Sequence, residues 1–203
     1  VKLFGAGTGN DFLKDIESEV TDNIATINKY LTGLPTVKVN GIERKFINGI
    51  GYGIDGTACE VADDKKLRGE TDINYAKISI GLCLGKYKCP NAKVTVDGRV
   101  MQFRHVWLAS AMKGRFYGGG MMVAPAQDRN SKVMSCVVLH DSGRLHTLAV
   151  FPGLFSGTHV KHQKIVTVLT GKEITVEFDR PNALQIDGDT VRGVRRYSAK
   201  MPG

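Results

Sequence analysis

From Pro90 to the end of the chain, apolar side chains recur at every second position in short runs separated by turn residues. This period of two constrains the fold more than any other feature. Val94-Thr95-Val96 runs into Asp97-Gly98, a dipeptide suited to a two-residue hairpin turn, where both central positions need positive φ. Val100 to Ala111 reads as the returning strand, with Val106, Leu108 and Ser110 alternating against Trp107, Ala109 and Ala111. Further strands are expected at Met121–Val123, Val133–Leu139, Lys164–Leu169, Glu173–Phe178, Ala183–Ile186 and Val191–Arg195. Arg144–Leu154 is the one helix-like insertion. Short strands at this spacing predict an antiparallel β-sandwich.

The first ninety residues follow a different rhythm. Helical spacing is expected over Asn10–Glu19, through Phe12, Leu13 and Ile16, and over Thr21–Leu31, through Ile24, Ile27 and Leu31. Val37–Val39 then leads to an Asn40-Gly41 turn and a return strand within Lys45–Ile54. Thr57–Leu67 and Asp72–Tyr87 read as helices. At 203 residues the chain can bury a core without metal or disulfide staples. The fold class is therefore mainly β with α (α+β), an antiparallel β-sandwich behind a helical N-terminal lead-in.

Several functional classes drop out. The longest stretch without a charged residue, Leu145–Val160, contains Pro152 and falls short of the ~18 apolar residues of a spanning helix. No signal peptide opens the chain, and Cys59, Cys83, Cys89 and Cys136 form no C-x-x-C pair. A reduced, cytoplasmic setting is expected. The net charge of +8 favours an anionic partner such as a membrane surface or a phosphorylated molecule. No helix-turn-helix, RNP or zinc-finger pattern points to nucleic acid. The chain starts at Val1 without an initiator methionine and reads as a piece of something longer.

Glycine is the compositional outlier, at 24 of 203 residues. It gathers where chemistry is plausible. Phe4-Gly5-Ala6-Gly7-Thr8-Gly9-Asn10-Asp11 is a strand end, a glycine loop and a helix start, the recipe for a phosphate cradle. It is not a dinucleotide fingerprint, and no Walker A sequence occurs. Gly118-Gly119-Gly120 lets backbone pass very close to a neighbour, and nearby Lys113 and Arg115 would suit an anion there. Ile186-Asp187-Gly188-Asp189 is first a hairpin turn; its two carboxylates at a strand end could also act as a base.

Taken in order, these clusters resemble the diacylglycerol kinase catalytic superfamily of lipid kinases. Gly7-Thr8-Gly9-Asn10-Asp11-Phe12 is similar to its G-T-x-N-D-F segment, and Tyr117-Gly118-Gly119-Gly120-Met121 with Ala124-Pro125 to its Y-G-G-G-M…A-P. Asn48–Gly53 and Gly157-Thr158-His159 match two further stretches, and Ile186–Asp189 resembles the terminal D-G-E. The resemblance spans the chain nearly end to end. It implies a two-domain enzyme with an α/β nucleotide domain and a β-sandwich. Residues 1–34 would be the last segment of the first, and residues 35–203 the second. The G-G-D-G-T loop of the nucleotide domain does not occur here, so this piece alone is expected to be inactive.

Residue roles follow only from that resemblance. Gly7, Thr8, Gly9, Asn10 and Asp11 would serve the nucleotide, with Thr8 touching ATP and Asp11 in a carboxylate–magnesium network. Gly118, Gly119 and Gly120 would line the substrate cleft. Asp187 would be the general base, with Asp189 standing for the glutamate beside it. ATP and Mg are thus expected of the full-length enzyme, ATP being held mainly by the missing domain. The partner would be a lipid at an anionic membrane surface, approached by peripheral association, and a homodimer is allowed.

Departures are visible. Asp189 is one methylene shorter than glutamate, Lys113 replaces an asparagine, and Thr36 stands where an acid is expected. Ser131-Lys132 replaces an Asp-Gly that helps bind a structural magnesium, and lysine repels that ion. Two rival readings remain. An NAD-kinase-like enzyme would carry an Asn-Glu dipeptide, and none occurs. A non-catalytic, kinase-derived lipid-binding or regulatory module is consistent with the departures at Thr36 and Lys132.

Overall fold

The computed structural model describes residues 1–6 and 10–203. Gly7, Thr8 and Gly9, three of the residues expected at the nucleotide, lie outside the described residues.

The amino-terminal segment is built around β1 (Lys2–Phe4), α1 (Asp11–Asp15) and β2 (Ile24–Thr26), with β1 and β2 paired antiparallel. Phe12, Leu13, Ile16, Ala25, Ile27 and Tyr30 form its small core. Among the described residues, helix here is confined to α1 and two short 3-10 turns, Glu17–Glu19 and Asn28–Tyr30. The helix expected over Thr21–Leu31 does not form. Asp22 and Asn23 take φ of 50° and 62°. Across them Thr21 and Ile24 exchange two backbone hydrogen bonds of 2.9 Å. This is a two-residue hairpin turn, for which Asp and Asn tolerate the left-handed backbone. Ile24 and Ile27, being β-branched, fit the extended alternative well.

The hairpin of β3 (Thr36–Val39) and β4 (Ile42–Lys45) turns at Asn40-Gly41, as expected. The return strand ends at Lys45, and β5 (Gly49–Tyr52) is a separate strand elsewhere in the sheet. Next come α2 (Ile54–Leu67) and α3 (Tyr75–Gly81), the latter continued by a wider π turn over Leu82–Lys86. The β6 (Ala92–Val96) and β7 (Arg99–Phe103) hairpin turns at Asp97-Gly98. After β8 (Leu108–Met112), the two-residue strands β9 (Phe116–Tyr117) and β10 (Met121–Met122) flank the triple glycine. Strand β11 (Met134–Leu139) precedes α4 (Arg144–Val150) and α5 (Gly153–Ser156), which Pro152 separates. Three strands complete the chain: β12 (Val166–Gly171), β13 (Glu173–Ile186) and β14 (Asp189–Lys200).

Strand β13 turns this ladder into two layers. Its first half, Glu173–Phe178, pairs with β6, whereas Leu184–Ile186 pairs with β5. Register against β14 shifts between Glu177 and Leu184. Pro181 sits in that irregular stretch, where its missing N–H costs no ladder bond. One layer is thus β12-β11-β8-β5, the other carries β6-β7 and β3-β4, and the long β13–β14 hairpin joins them.

Between the layers, Tyr52 stacks on Phe178 with ring centroids 3.9 Å apart. Tyr197 Oη donates to the Ala109 carbonyl at 3.1 Å. On the outer face of the first layer Trp107, Leu108, Met112, Leu139, Val150 and Leu154 make a second core beneath the helices. That layer is covered on both faces, which is why β8 and β11 are buried at every position. No helix among the described residues is long and apolar enough to cross a membrane.

Candidate functional site

The turn between β13 and β14 brings Asp187 to the molecular surface with φ 50°, followed by Gly188 at φ 99°. This is the hairpin turn expected of Asp-Gly, but the carboxylate does more than close it. Asp187 Oδ2 accepts from Ile47 N at 2.6 Å, and Oδ1 accepts from Asn48 N at 2.8 Å and Gly49 N at 3.0 Å. The Asp187 amide in turn donates to the Gly49 carbonyl at 3.1 Å. Four hydrogen bonds therefore tie the turn to the loop that leads into β5. Three of the four lone-pair positions of the carboxylate are occupied, leaving one for a further donor.

A second acid meets the triple glycine. Asp11, the first residue of α1, accepts from Gly119 N at 2.9 Å and Gly120 N at 2.5 Å. Gly118, Gly119 and Gly120 take φ of 65°, 82° and 106°, a run of left-handed backbone that aims consecutive N–H groups at one anion. The anion expected near these glycines is thus a carboxylate of the chain itself. Asn10 immediately precedes α1, at its N-cap position.

Asp187, Asp11 and Gly118 line one cavity of about 230 Å³, together with Asn48, Ala58, Tyr75, Met121 and Gln185. The same cavity reaches a third acid that sequence reasoning missed. Asp55, in the first turn of α2, is buried; its Oδ2 accepts from Tyr117 Oη at 2.5 Å and lies 3.5 Å from Ser110 Oγ. Its Oδ1 is buried without a hydrogen-bond partner. Burial pushes the Asp55 carboxyl above its ordinary range, against the opposing hydrogen bond from Tyr117. Gly51 must lack a side chain here, because a Cβ would collide with Asp55 Oδ2 and Gln185 Nε2. In the sequence, an acid after Gly53 reads only as a complement to a helix dipole. The glycine at position 51 was the available signal.

Behind the cavity lies a buried ion triad that no local pattern announces. The Asp15 side chain, 2% exposed, accepts from Arg115 Nε at 2.7 Å and Arg129 Nε at 2.6 Å. Arg129 also donates to the Ile47 carbonyl at 2.5 Å and to Asn48 Oδ1 at 2.7 Å, with its guanidinium over the Phe12 ring. So α1 fixes Arg129, Arg129 fixes the 47–49 loop, and that loop fixes Asp187.

Asp189 is placed differently. Its carboxylate is 2.9 Å from Arg44 on β4, its side chain is 74% exposed, and it does not line the cavity. No group of three or more His, Cys, Asp or Glu capable of holding a metal occurs among the described residues. Asp15 is held by its two arginines and Asp11 by the Gly119 and Gly120 amides. The described residues therefore gather no magnesium donor set by themselves, and no chemical step below is routed through one.

Comparison with known proteins gives this geometry a family context. Residues 48–202 match the family described as the YegS C-terminal NAD kinase beta sandwich-like domain. A protein of Mycobacterium tuberculosis named diacylglycerol kinase is 25% identical over 194 residues, covering 92% of this chain and 62% of its own length. A Bacillus subtilis (strain 168) protein provisionally named lipid kinase YtlR is 26% identical over 198 residues, covering 91% of this chain and 64% of itself. A crystal structure from Bacillus anthracis str. Sterne, provisionally described as a diacylglycerol kinase, superposes with a TM-score of 0.68 at 18% identity. It covers 98% of this chain and 64% of that one. The chain thus spans less than two thirds of the length of these relatives.

Proposed function

The chain belongs to the family of YegS C-terminal beta-sandwich-like domains, and on that premise we propose that it is the acceptor-binding half of a lipid kinase. The relatives named diacylglycerol kinase and lipid kinase support a kinase-family parent. In this reading the 230 Å³ cavity receives the hydroxyl-bearing end of a diacylglycerol-like lipid. The meeting of a buried acid, Asp55, and an exposed one, Asp187, in the lining of one cavity carries the proposal.

Asp55, held by Tyr117, orients the lipid hydroxyl, and Asp187 accepts its proton through the remaining lone-pair position. The hydroxyl oxygen then forms a bond to the terminal phosphorus of ATP, and the bond from that phosphorus to ADP breaks. ATP is supplied by part of the protein outside this chain. The nucleotide roles of Gly7, Thr8, Gly9, Asn10 and Asp11 belong to the same proposal, with Asp11 acting as the clamp that shapes the glycine loop. The charge of +8 suits peripheral association with an anionic cytoplasmic leaflet.

One observation favours a second reading. Both Asp187 oxygens are already engaged by the 47–49 backbone, as they would be in a non-catalytic lipid-binding module whose aspartate merely clamps a loop. Phosphoryl transfer from radiolabelled ATP to diacylglycerol in mixed micelles separates the two. In the full-length protein, Asp187→Asn should lower kcat about 100-fold or more. Asp55→Asn should raise KM about tenfold with a smaller change in kcat. Lipid binding without any transfer by the full-length wild type supports the module instead.

A further inference from the structure

A separate cavity of about 450 Å³ has Arg129 in its lining, and every charged side chain that lines it is a cation. Lys29, Lys113, Arg129, Lys132 and Lys172 line it, and no aspartate or glutamate does. Two of these cations are already partnered. Arg129 binds Asp15 and Lys29 pairs with Glu19 at 2.7 Å.

The other three are not. Lys113 is buried, yet its ammonium has a single acceptor, the Ser131 carbonyl at 2.7 Å, for three donors. Lys132 and Lys172 have no carboxylate within ion-pair distance among the described residues. Burial and then the neighbouring Arg129 pull the Lys113 pKa down, against the weaker opposing pull of Asp128, which does not line the cavity. A concave, one-signed surface concentrates counter-ions, and the ammonium donors still lack acceptors.

The geometry points to an anion site: this cavity binds a phosphate group, either a phosphomonoester or a pyrophosphate, through Lys113, Lys132 and Lys172. Nothing in this inference depends on the acceptor cavity or on kinase activity. Arg129 also donates to the Ile47 carbonyl and Asn48 Oδ1, so it links the anion site to the loop that holds Asp187.

Isothermal titration of this chain with inorganic pyrophosphate tests the assignment. The wild type should bind, and the Lys132→Ala/Lys172→Ala pair should bind about 10- to 100-fold more weakly, for the loss of charge-assisted hydrogen bonds. These two lysines are exposed, so the variant is expected to fold. A Lys161→Ala/Lys164→Ala pair of equal net charge, altered at exposed positions outside the cavity, should bind as the wild type does.

Absence of wild-type binding up to ~10 mM pyrophosphate, or equal weakening in both pairs, overturns the assignment. Vesicles of phosphatidylcholine with and without phosphatidic acid identify the source. Binding to phosphatidic acid that falls in the Lys132/Lys172 variant and is competed by pyrophosphate marks a lipid headgroup. Vesicle binding unchanged in that variant, with pyrophosphate binding lost, marks a free phosphate.

Discussion

Replacing Asp15 by asparagine should cost far more stability than its position near the start of the chain suggests. The Asp15 carboxylate bridges two arginines of unequal exposure: the Arg115 side chain is 35% exposed and that of Arg129 only 6%. Neutralising Asp15 leaves Arg129 as a buried, uncompensated cation, a loss of about 3–5 kcal/mol when one partner of a buried pair is removed. Burial already pulls the Arg129 pKa down, and Asp15 is the principal group pulling it back up. For a domain of this size that corresponds to a Tm lowered by roughly 6–20 °C. Arg115, closer to water, contributes about 1 kcal/mol or less through its half of the bridge. Urea unfolding followed by circular dichroism measures all three variants: Asp15→Asn and Arg129→Met should be severe, Arg115→Met mild. A cost below about 1 kcal/mol for Asp15→Asn, or equal costs for the two arginines, would refute the buried-triad argument.

Two further outcomes follow from the buried titratable groups. The folded state holds the Asp55 proton above the ordinary carboxyl pKa of 3.8, whereas the unfolded chain releases it. Wild-type stability should therefore decline as pH rises from about 4 through the raised folded value, and Asp55→Asn should lose that slope. Urea midpoints of the two proteins across that range check the sign; parallel curves would contradict it. Burial also pushes the thiols of Cys59, Cys89 and Cys136 up to about 12. With no disulfide present, a thiol-reactive dye at pH 8 should label the native chain slowly and the unfolded chain at all four cysteines. Rapid native labelling would mean that these thiols are not shielded.

The legible parts of the fold were those written into dipeptides. Asn40-Gly41, Asp97-Gly98 and Asp187-Gly188 all turn hairpins with positive φ at both residues. Asp22-Asn23 does the same, but the helical spacing of Ile24, Ile27 and Leu31 around it masked the turn. Glu173–Phe178 and Ala183–Ile186 looked like two strands because Pro181 interrupts them, yet they are one bent strand whose bend makes the two layers. At the site, Gly118 and Asp187 could be read from the sequence because each sits in a local glycine turn, and Asp11 because it opens the helix that follows a glycine-rich stretch. The Asp15–Arg129 bridge spans 114 residues and the Tyr117–Asp55 bond 62, so no local pattern could reveal either. Such contacts exist only once β5, β8 and the glycine hairpin are assembled.

Transfer of phosphate from ATP to diacylglycerol by the full-length protein, wild type beside Asp187→Asn and Asp55→Asn, tests the central claim most directly. A lipid kinase built on this sandwich predicts measurable wild-type transfer, a kcat about 100-fold or more lower in Asp187→Asn, and a raised KM in Asp55→Asn. Undiminished turnover in both variants, each shown to be folded, would contradict it.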